Sequence, residues 1–290
     1  MTDGPAAARR AWRVLEPIHA VVYFAPEVED ALRAAGLRGF WMGYFAARAA
    51  PMGAVGPAVV ASTFFGFHPA MVRRALPDAW GFADPVTVDR ARTAGVHRAL
   101  RRILGPLADG SDVTAAADLA AEVVAGCTFG GRPLAAAWAA QPAPTEPVLA
   151  LWHSLSVLRE HRGDGHVIAN VAAGFDGLEA HVMQAAAGGA PRDWLQRARG
   201  WTDEDWDAAA DRLTRRGWLD GDALTPEGAQ ARAHVEELTD ALAAEPWTHL
   251  GADGTEQLVA RLAPLSAAVA ASGDIPFPNP IGVPRPEAAG

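Results

Sequence analysis

The residues best suited to chemistry lie together in Arg159–His166, which reads REHRGDGH. Arginine side chains and the N–H groups at a helix start bind anions, and a histidine of near-neutral pKa can act as a general base. The two glycines predict that a helix ends here and that Asp164 caps the next one. We therefore predict a ligand site lined by Arg159, His161, Asp164 and His166, with a purely structural turn as the alternative.

A second set of candidates comes from an internal match at a constant offset of 111 residues. Trp41 corresponds to Trp152, and Arg48 corresponds to Arg159. The other matched pairs are Val60 with Val171, Phe64 with Phe175, Gly66 with Gly177, Arg101 with Arg212, Asp109 with Asp220, Gly110 with Gly221 and Thr114 with Thr225. Because residues this rare seldom coincide without a gap, the match indicates an internal duplication.

Packing of the two copies about a pseudo-twofold axis would bring equivalent positions face to face. His68, in the segment FFGFHP, corresponds to Glu179, so both would approach Arg48 and Arg159 in a central cleft. The aromatic residues predicted to line that cleft are Trp41, Phe64 and Trp152. A cleft with aromatic walls and few polar groups suits a small anionic or aromatic molecule. The alternative for His68 is a hydrogen bond within the core.

The second half carries clear local signals for a helix, a turn, a helix, a hairpin and a helix. Thr202 is a good N-cap, and Asp205 completes a capping box with it. Gly217 predicts a left-handed helix end, and Asp220-Gly221-Asp222 predicts a tight hairpin. Pro226 suits the first position of the following helix. This order of elements is that of a winged helix.

The chain is therefore predicted to be mostly α-helical, with two tandem winged-helix-like repeats related by internal duplication. Each repeat is expected to carry a short β-hairpin wing. The first repeat covers residues 1–140, a proline-rich linker covers 141–147, and the second repeat covers 148–272. The tail, 273–290, contains five prolines and is predicted to be extended rather than helical.

The run RRGWLDGDALTPEGAQAR resembles the wing region of MarR-type regulators, in which a helix ends in glycine and a hairpin leads to Leu-Thr-x-x-Gly. The stretches LREHRGDGH, GFDGLEAHV and GFWMGYFAARAAPMGAVGPAVV resemble a group of uncharacterised actinobacterial helix-turn-helix proteins over most of the chain. The resemblance implies a winged-helix fold. It also implies an alternative function as a DNA-binding regulator. The resemblance supplies no established activity, and the identity of any cofactor stays open.

The distribution of charge disfavours nucleic acid as a partner. The net charge is −9, and an acidic chain repels phosphate unless its basic residues are clustered. The second predicted recognition helix carries Asp203, Glu204, Asp205, Asp207 and Asp211. The equivalent first helix carries Arg90, Arg92, His97, Arg98, Arg101 and Arg102. Two such different surfaces do not suit a palindromic pair of half-sites, so DNA binding stays an alternative.

Other features narrow the classes of function. Cys127 is the only cysteine, which excludes an internal disulfide and is typical of a cytoplasmic protein. No segment suits a membrane span, and the histidine spacing predicts no metal site. We therefore predict a pseudo-dimeric protein that binds a small molecule in a cleft between its repeats. An enzyme using histidine, arginine and carboxylate groups in that cleft is a further alternative, and the oligomeric state stays open.

Overall fold

A computed structural model of the chain describes residues 4–286, and helices make up most of it. The first half contains α1 (Gly4–Phe24), α2 (Pro26–Ala34), α3 (Gly39–Ala49), α4 (Pro57–Phe64), α5 (Pro69–Arg73), α6 (Ala79–Phe82), α7 (Pro85–Leu104), α8 (Ser111–Ala125) and α9 (Pro133–Ala139). The second half contains α10 (Pro147–Ala172), α11 (Gly177–Ala186), α12 (Arg192–Arg199), α13 (Asp203–Arg215), α14 (Pro226–Leu242) and α15 (Glu245–Ala271). The prediction of a mostly helical fold is confirmed.

The local signals of the second half lead to the predicted elements. The Thr202 hydroxyl accepts the N–H of Asp205, and the Asp205 carboxylate accepts the N–H of Thr202, so the capping box is present. Gly217 has a φ of 73°, as a left-handed helix end requires. Strands β1 (Leu219–Asp220) and β2 (Ala223–Leu224) then pair antiparallel, and α14 begins at Pro226.

The predicted hairpin of the first half is absent from the described residues 4–286, which is a correction. The equivalent positions, 108–113, fall in a 3₁₀ turn (Gly105–Asp109) and in the start of α8. Pro106 explains part of the difference, because its fixed φ suits the first turn of a helix and it has no N–H for a strand ladder. Only the second half therefore carries a hairpin in the described part of the chain.

The predicted turn at Arg159–His166 is also wrong, because α10 runs through this segment without a break. A glycine within a helix costs about 1 kcal/mol relative to alanine, which tertiary packing can outweigh. Helix α10 packs against α8, α9, α14 and α1. At Gly165 a Cβ would lie 2.7 Å from Nη1 of Arg132, so the glycine admits this guanidinium rather than ending the helix.

Two hydrophobic cores organise the fold. The larger is formed by α1–α9, the first part of α10 and α15, and we call this region the helical bundle. The smaller lies within residues 169–242 and includes Phe175 and Trp206; we call this region the helix-turn-helix unit. The predicted division at 141–147 stays a prediction, whereas the two cores separate within α10, and α15 returns to pack on α1.

Residues 273–286 form no helix; the predicted extended tail stays a prediction, and its residues 287–290 lie outside the described part. Ile275 and Val283 are buried against the helical bundle. The carbonyl of Pro280 accepts a hydrogen bond of 2.9 Å from Nη2 of Arg199 in α12. Across residues 4–286, none of the helices combines the length and apolar character that crossing a bilayer demands.

Candidate functional site

A buried ionic cluster joins three helices at the centre of the molecule. Glu160 of α10 is fully buried and accepts hydrogen bonds from Nε and Nη2 of Arg48, at 3.0 and 2.8 Å. Arg159 donates from Nη1 to Glu160 at 3.0 Å and from Nε to Glu16 of α1 at 3.3 Å. These four residues, Glu16, Arg48, Arg159 and Glu160, are the ionic cluster below. Arg48 and Arg159, which correspond in the internal match, thus bind one carboxylate.

The arginines of the ionic cluster hold Glu160 in its charged form inside the protein. Burial acts to raise the pKa of Glu160, but the neighbouring Arg48 and Arg159 outweigh it and lower this pKa to about 2. The adjacent His19 is different, because burial and then Arg159 lower its pKa well below 6.5. Its ring nitrogens lie 2.9 Å from the Ser156 hydroxyl and 3.1 Å from the Tyr23 hydroxyl. The histidine is therefore a neutral structural group at neutral pH.

A cavity of about 60 Å³ lies beside the ionic cluster, between the end of α1, helix α2 and helix α3. Its apolar lining includes Val22, Val28, Leu32, Leu37 and Phe40, and its other lining side chains include Tyr23, Tyr44, Arg48, Arg92 and Trp138. At 10–15 Å³ for each water, this volume has room for about four to six of them. The cavity lies within the helical bundle and is lined only by residues of the first half.

Two of the residues that line the cavity each carry a buried donor with no hydrogen-bond partner among the described residues. These donors are Nε of Arg92 and Nε1 of Trp138, whose side chains belong to residues only 3% and 2% exposed. The rest of the Arg92 guanidinium is engaged, since Nη1 donates to the Ala47 carbonyl at 2.6 Å and Nη2 donates to Asp89. It also stacks on the Trp138 ring at 4.1 Å. An unsatisfied buried donor costs about 1–3 kcal/mol, so a partner in the cavity would be favourable.

Neither of the two candidate histidines opens into a cleft shared with Arg159, although His161 borders a separate cavity of about 10 Å³ together with Trp12 and Trp247. Nε2–H of His161 donates to the Thr128 carbonyl at 3.1 Å, and Nδ1 of His166 lies 2.9 Å from the Thr239 hydroxyl. Burial lowers both pKa values, that of His161 to about 4. The continuous α10 turns these rings toward neighbouring chain segments, where their bonds are structural. The prediction that His161 or His166 reaches a cleft with Arg159 is therefore wrong.

Asp164 caps a helix, but a different one from that predicted. Its Oδ2 accepts the N–H groups of Leu134 and Ala135, at 3.1 and 3.0 Å, at the start of α9. Burial raises the pKa of Asp164 to about 6, and these two N–H groups act in the opposite direction. The carboxylate thus fixes α9 against α10, and Trp138 of α9 borders the cavity.

His68 and Glu179 do not join Arg48 and Arg159. Nδ1 of His68 accepts the Ala70 N–H at 3.1 Å and caps α5, and its ring meets Trp201 edge-on at 4.8 Å. Glu179 is buried in the helix-turn-helix unit, where its carboxylate accepts a hydrogen bond of 2.8 Å from Nε of Arg212. It also completes a capping box with Asp176. The expected central cleft between these four side chains is corrected accordingly.

The predicted aromatic residues have structural contacts in the helical bundle. Phe64 lies beneath the Arg48 guanidinium, 4.2 Å from its carbon to the ring centre. Nε1 of Trp152 donates to the His19 carbonyl at 3.3 Å. Trp41 is half-buried and meets Tyr44 edge-on at 5.6 Å. Of the predicted ligand-binding residues, Arg48 lines the cavity.

Another matched pair, Gly66 and Gly177, lies in direct contact. A Cβ on Gly177 would overlap the Phe65 carbonyl, and one on Gly66 would overlap the His181 ring. The Gly66 carbonyl accepts hydrogen bonds from Nε2–H of His181 at 3.1 Å and from Trp201 at 2.9 Å. The two glycines therefore allow the α4–α5 turn to dock on α11.

Sequence reasoning missed the residues that distinguish the cavity. Arg92 was grouped with the exposed basic residues of α7, yet it shares a helical face with Val88 and Val96, both fully buried. This four-residue spacing was a usable signal that the arginine points inward. Trp138 lies in a short alanine-rich stretch, and Tyr23 lies at the end of α1, where no local pattern marked either one.

The exposed face of α13 is acidic, as the sequence predicts. Asp203 and Asp207 are 78% and 66% exposed, and both pair with Arg192. Arg212 is engaged by Asp176 and Glu179. On α7, other exposed arginines are paired in the same way, with Arg101 bound to Asp109 and Arg102 bound to Glu27 and Asp274. Phosphate contacts would compete with these carboxylates.

The arrangement of α12, a turn at Gly200–Thr202, and α13 defines a protein with a helix-turn-helix. A family model described as "Helix-turn-helix family" matches residues 8–276, and the chain belongs to this family. No curated protein and no solved structure gives a significant match.

Proposed function

We propose that this helix-turn-helix protein binds a small molecule in the cavity bounded by α1, α2 and α3. The observation that carries the proposal is a cavity with a largely apolar lining in which two residues, Arg92 and Trp138, each keep a buried donor without a partner, Nε and Nε1. Proteins satisfy nearly all of their buried donors, and a mostly apolar pocket with a few converging polar groups is typical of a ligand site. The proposal thus retains small-molecule binding as the function, but it places the site within the first half rather than between the two repeats.

Binding is proposed rather than catalysis. The histidines expected to act as bases, His161 and His166, are occupied by Thr128 and Thr239. The tyrosine nearest the ionic cluster is also unsuited to proton transfer, because burial raises the pKa of Tyr23 well above 10.

We also propose that the chain arose by internal duplication. Support comes from Arg48 and Arg159, which share Glu160, and from the contact between Gly66 and Gly177. The order α3, α5, α7, α8 in the first half follows α10, α11, α13, α14 in the second at the offset of the internal match. Under this proposal the two halves diverged, since one kept a hairpin and the other acquired a cavity.

A MarR-like DNA-binding regulator is the second candidate, supported by the family and by the order of α12, α13 and the hairpin. The acidic face of α13 opposes it. An electrophoretic mobility shift with the protein's own promoter region tests it at low salt, where phosphate attraction is strongest. We expect no shift. A shift that disappears as salt rises would support the regulator instead.

Ligand-observed NMR with a library of small fragments tests the proposed function. In the variant Gly43→Leu, the new side chain fills the cavity from α3, with Leu32 the nearest neighbour at 3.4 Å from the added Cβ. The matched control is Gly130→Leu, at an exposed glycine with nothing within 4 Å. Fragments should bind the wild type and Gly130→Leu but not Gly43→Leu. Equal binding to all three proteins, or to none, contradicts the proposal.

A further inference from the structure

We infer that the cavity takes a small carboxylate with a flat apolar body. This inference rests on the proposed function and adds the chemistry of the ligand. It follows from the hydrogen-bonding character of the inner groups, from the balance of buried charge and from the shape of the walls.

The unpartnered groups at the cavity can only donate. An indole N–H and a guanidinium N–H have no acceptor atom, so Trp138 Nε1 and Arg92 Nε each require an acceptor from the ligand. An ammonium group or another donor at this position would face two N–H groups. The complementary ligand atoms are therefore oxygens that accept, such as those of a carboxylate.

The buried charges near the cavity leave one positive charge in excess. In the ionic cluster, Arg48 and Arg159 are balanced by Glu16 and Glu160. The nearby Arg199 is only 7% exposed and donates to two backbone carbonyls, at 3.3 Å to Ala198 and 2.9 Å to Pro280. No carboxylate pairs with it among the described residues.

A buried charge without a counterion is costly, so an anion that enters the cavity would be attracted. Arg199 does not line the cavity itself: its guanidinium stacks on Phe67 at 4.6 Å, and the Phe67 ring lies 5.5 Å from that of Tyr44, which does line it. Burial lowers the pKa of Arg199, and Arg48 and Arg159 lower it further. Arg92 adds no further positive charge, because its guanidinium is paired with the Asp89 carboxylate.

The walls favour a flat apolar body. The rings of Phe40 and Tyr44 both line the cavity and lie nearly parallel, with centres 6.3 Å apart and an angle of 25°. Val28 and Leu32 of α2 supply aliphatic surface on the lining. An aromatic ring carried by the ligand gains from such contacts. The small volume limits the body to about one ring.

Isothermal titration with three probes of one shape tests the inference: benzoate, benzamide and benzylamine. Because hydrogen bonds to a charged acceptor are stronger than those to a neutral one, benzoate should bind at least about tenfold more tightly than benzamide. Benzylamine should not bind. The variant Trp138→Phe, which lacks the indole N–H, should weaken benzoate about tenfold.

A second measurement covers the case in which Trp138→Phe does not fold. In wild-type protein labelled with ¹⁵N, the Trp138 indole N–H resonance should move downfield on addition of benzoate. Benzamide binding as tightly as benzoate, or benzylamine binding best, overturns the inference and leaves the proposed function standing. The inference is also overturned, and the proposed function still stands, if other fragments bind the cavity but none of these three probes does. If no fragment distinguishes the wild type from Gly43→Leu, the proposed function fails.

Discussion

Two buried glutamates each bind a pair of arginines, and their surroundings differ. The arginines of Glu160, Arg48 and Arg159, have side chains that are 11% and 16% exposed. Those of Glu179, Arg212 and Arg216, are 37% and 38% exposed. Water screens the second set and solvates its cations, whereas the first set depends on its protein partners.

The comparison separates a structural use of buried charge from one suited to binding. In the helix-turn-helix unit, Glu179 also accepts the Asp176 N–H and fixes the start of α11. In the helical bundle, Arg48 of the ionic cluster lines a cavity, and two other lining residues, Arg92 and Trp138, keep donors without a partner. Similar residue types thus stabilise a helix terminus in one region and border the proposed ligand site in the other.

The contrast between Glu160 and Glu179 is tested by replacing one arginine partner of each glutamate. Arg48→Met leaves a buried carboxylate partly uncompensated, so we expect a loss of about 3–5 kcal/mol in the free energy of unfolding. The matched change Arg212→Met should cost about 1 kcal/mol or less, because Arg212 is partly exposed, Asp176 is reached by water, and Arg216 still pairs with Glu179. Urea unfolding measures both. Adding Glu160→Gln to Arg48→Met should recover part of the loss, and equal losses in the single variants would contradict the contrast.

The contact between the two regions is tested by Gly177→Ala. The added Cβ would overlap the Phe65 backbone carbonyl, which cannot move as a flexible side chain does, so we expect a loss of about 3 kcal/mol. Gly81→Ala is the control, since a Cβ there meets nothing within 4 Å. Thermal unfolding reports the difference. A Gly177→Ala protein as stable as the control would mean that the α4–α5 turn does not dock closely on α11.

Acid should destabilise the protein through buried neutral histidines. Burial lowers the pKa of His161 to about 4 and that of His181 to about 3. Each contributes stability that is present above about pH 6.5 and is lost as the pH falls toward its folded pKa, at about 1.4 kcal/mol per pH unit. Urea midpoints at pH 7.5 and 5.5 measure this slope. His161→Gln should flatten it, whereas the exposed His249→Gln should not; an unchanged slope in His161→Gln would show that this ring is solvated.

The smallest effect is expected at the capping box of α13. Thr202→Ala removes the acceptor for the Asp205 N–H and should cost about 1 kcal/mol. Thr214→Ala, at an exposed position within the same helix, should be close to neutral. Urea unfolding of both variants gives the comparison. A neutral Thr202→Ala would indicate that the helix-turn-helix unit does not depend on its local caps.

The sequence predicted the helix-turn-helix unit well because its signals are local. Thr202, Gly217 and Pro226 each act on the few residues beside them, so their effects can be recognised without the tertiary fold. At α10 the same reasoning failed, because the packing of Gly165 against Arg132 outweighs the tendency of glycine to end a helix.

The candidate site was harder to predict because its residues come from distant parts of the chain. Arg48 and Glu160 were each visible in the sequence, but their pairing across 112 positions depends on the tertiary fold that brings α3 and α10 within reach of each other. Arg92 and Trp138 meet only when α7 and α9 are both in place. The internal match indicated that Arg48 and Arg159 belong together, without showing that Glu160 joins them.

A crystal structure of the protein with benzoate tests the central claim most directly. We predict carboxylate oxygens about 3 Å from Arg92 Nε and Trp138 Nε1, with the ring between the walls formed by α2 and α3. The ionic cluster should keep its pairing, since the ligand supplies the missing acceptors rather than replacing Glu160. A cavity that holds only water at saturating benzoate, or benzoate bound elsewhere on the molecule, would contradict the account.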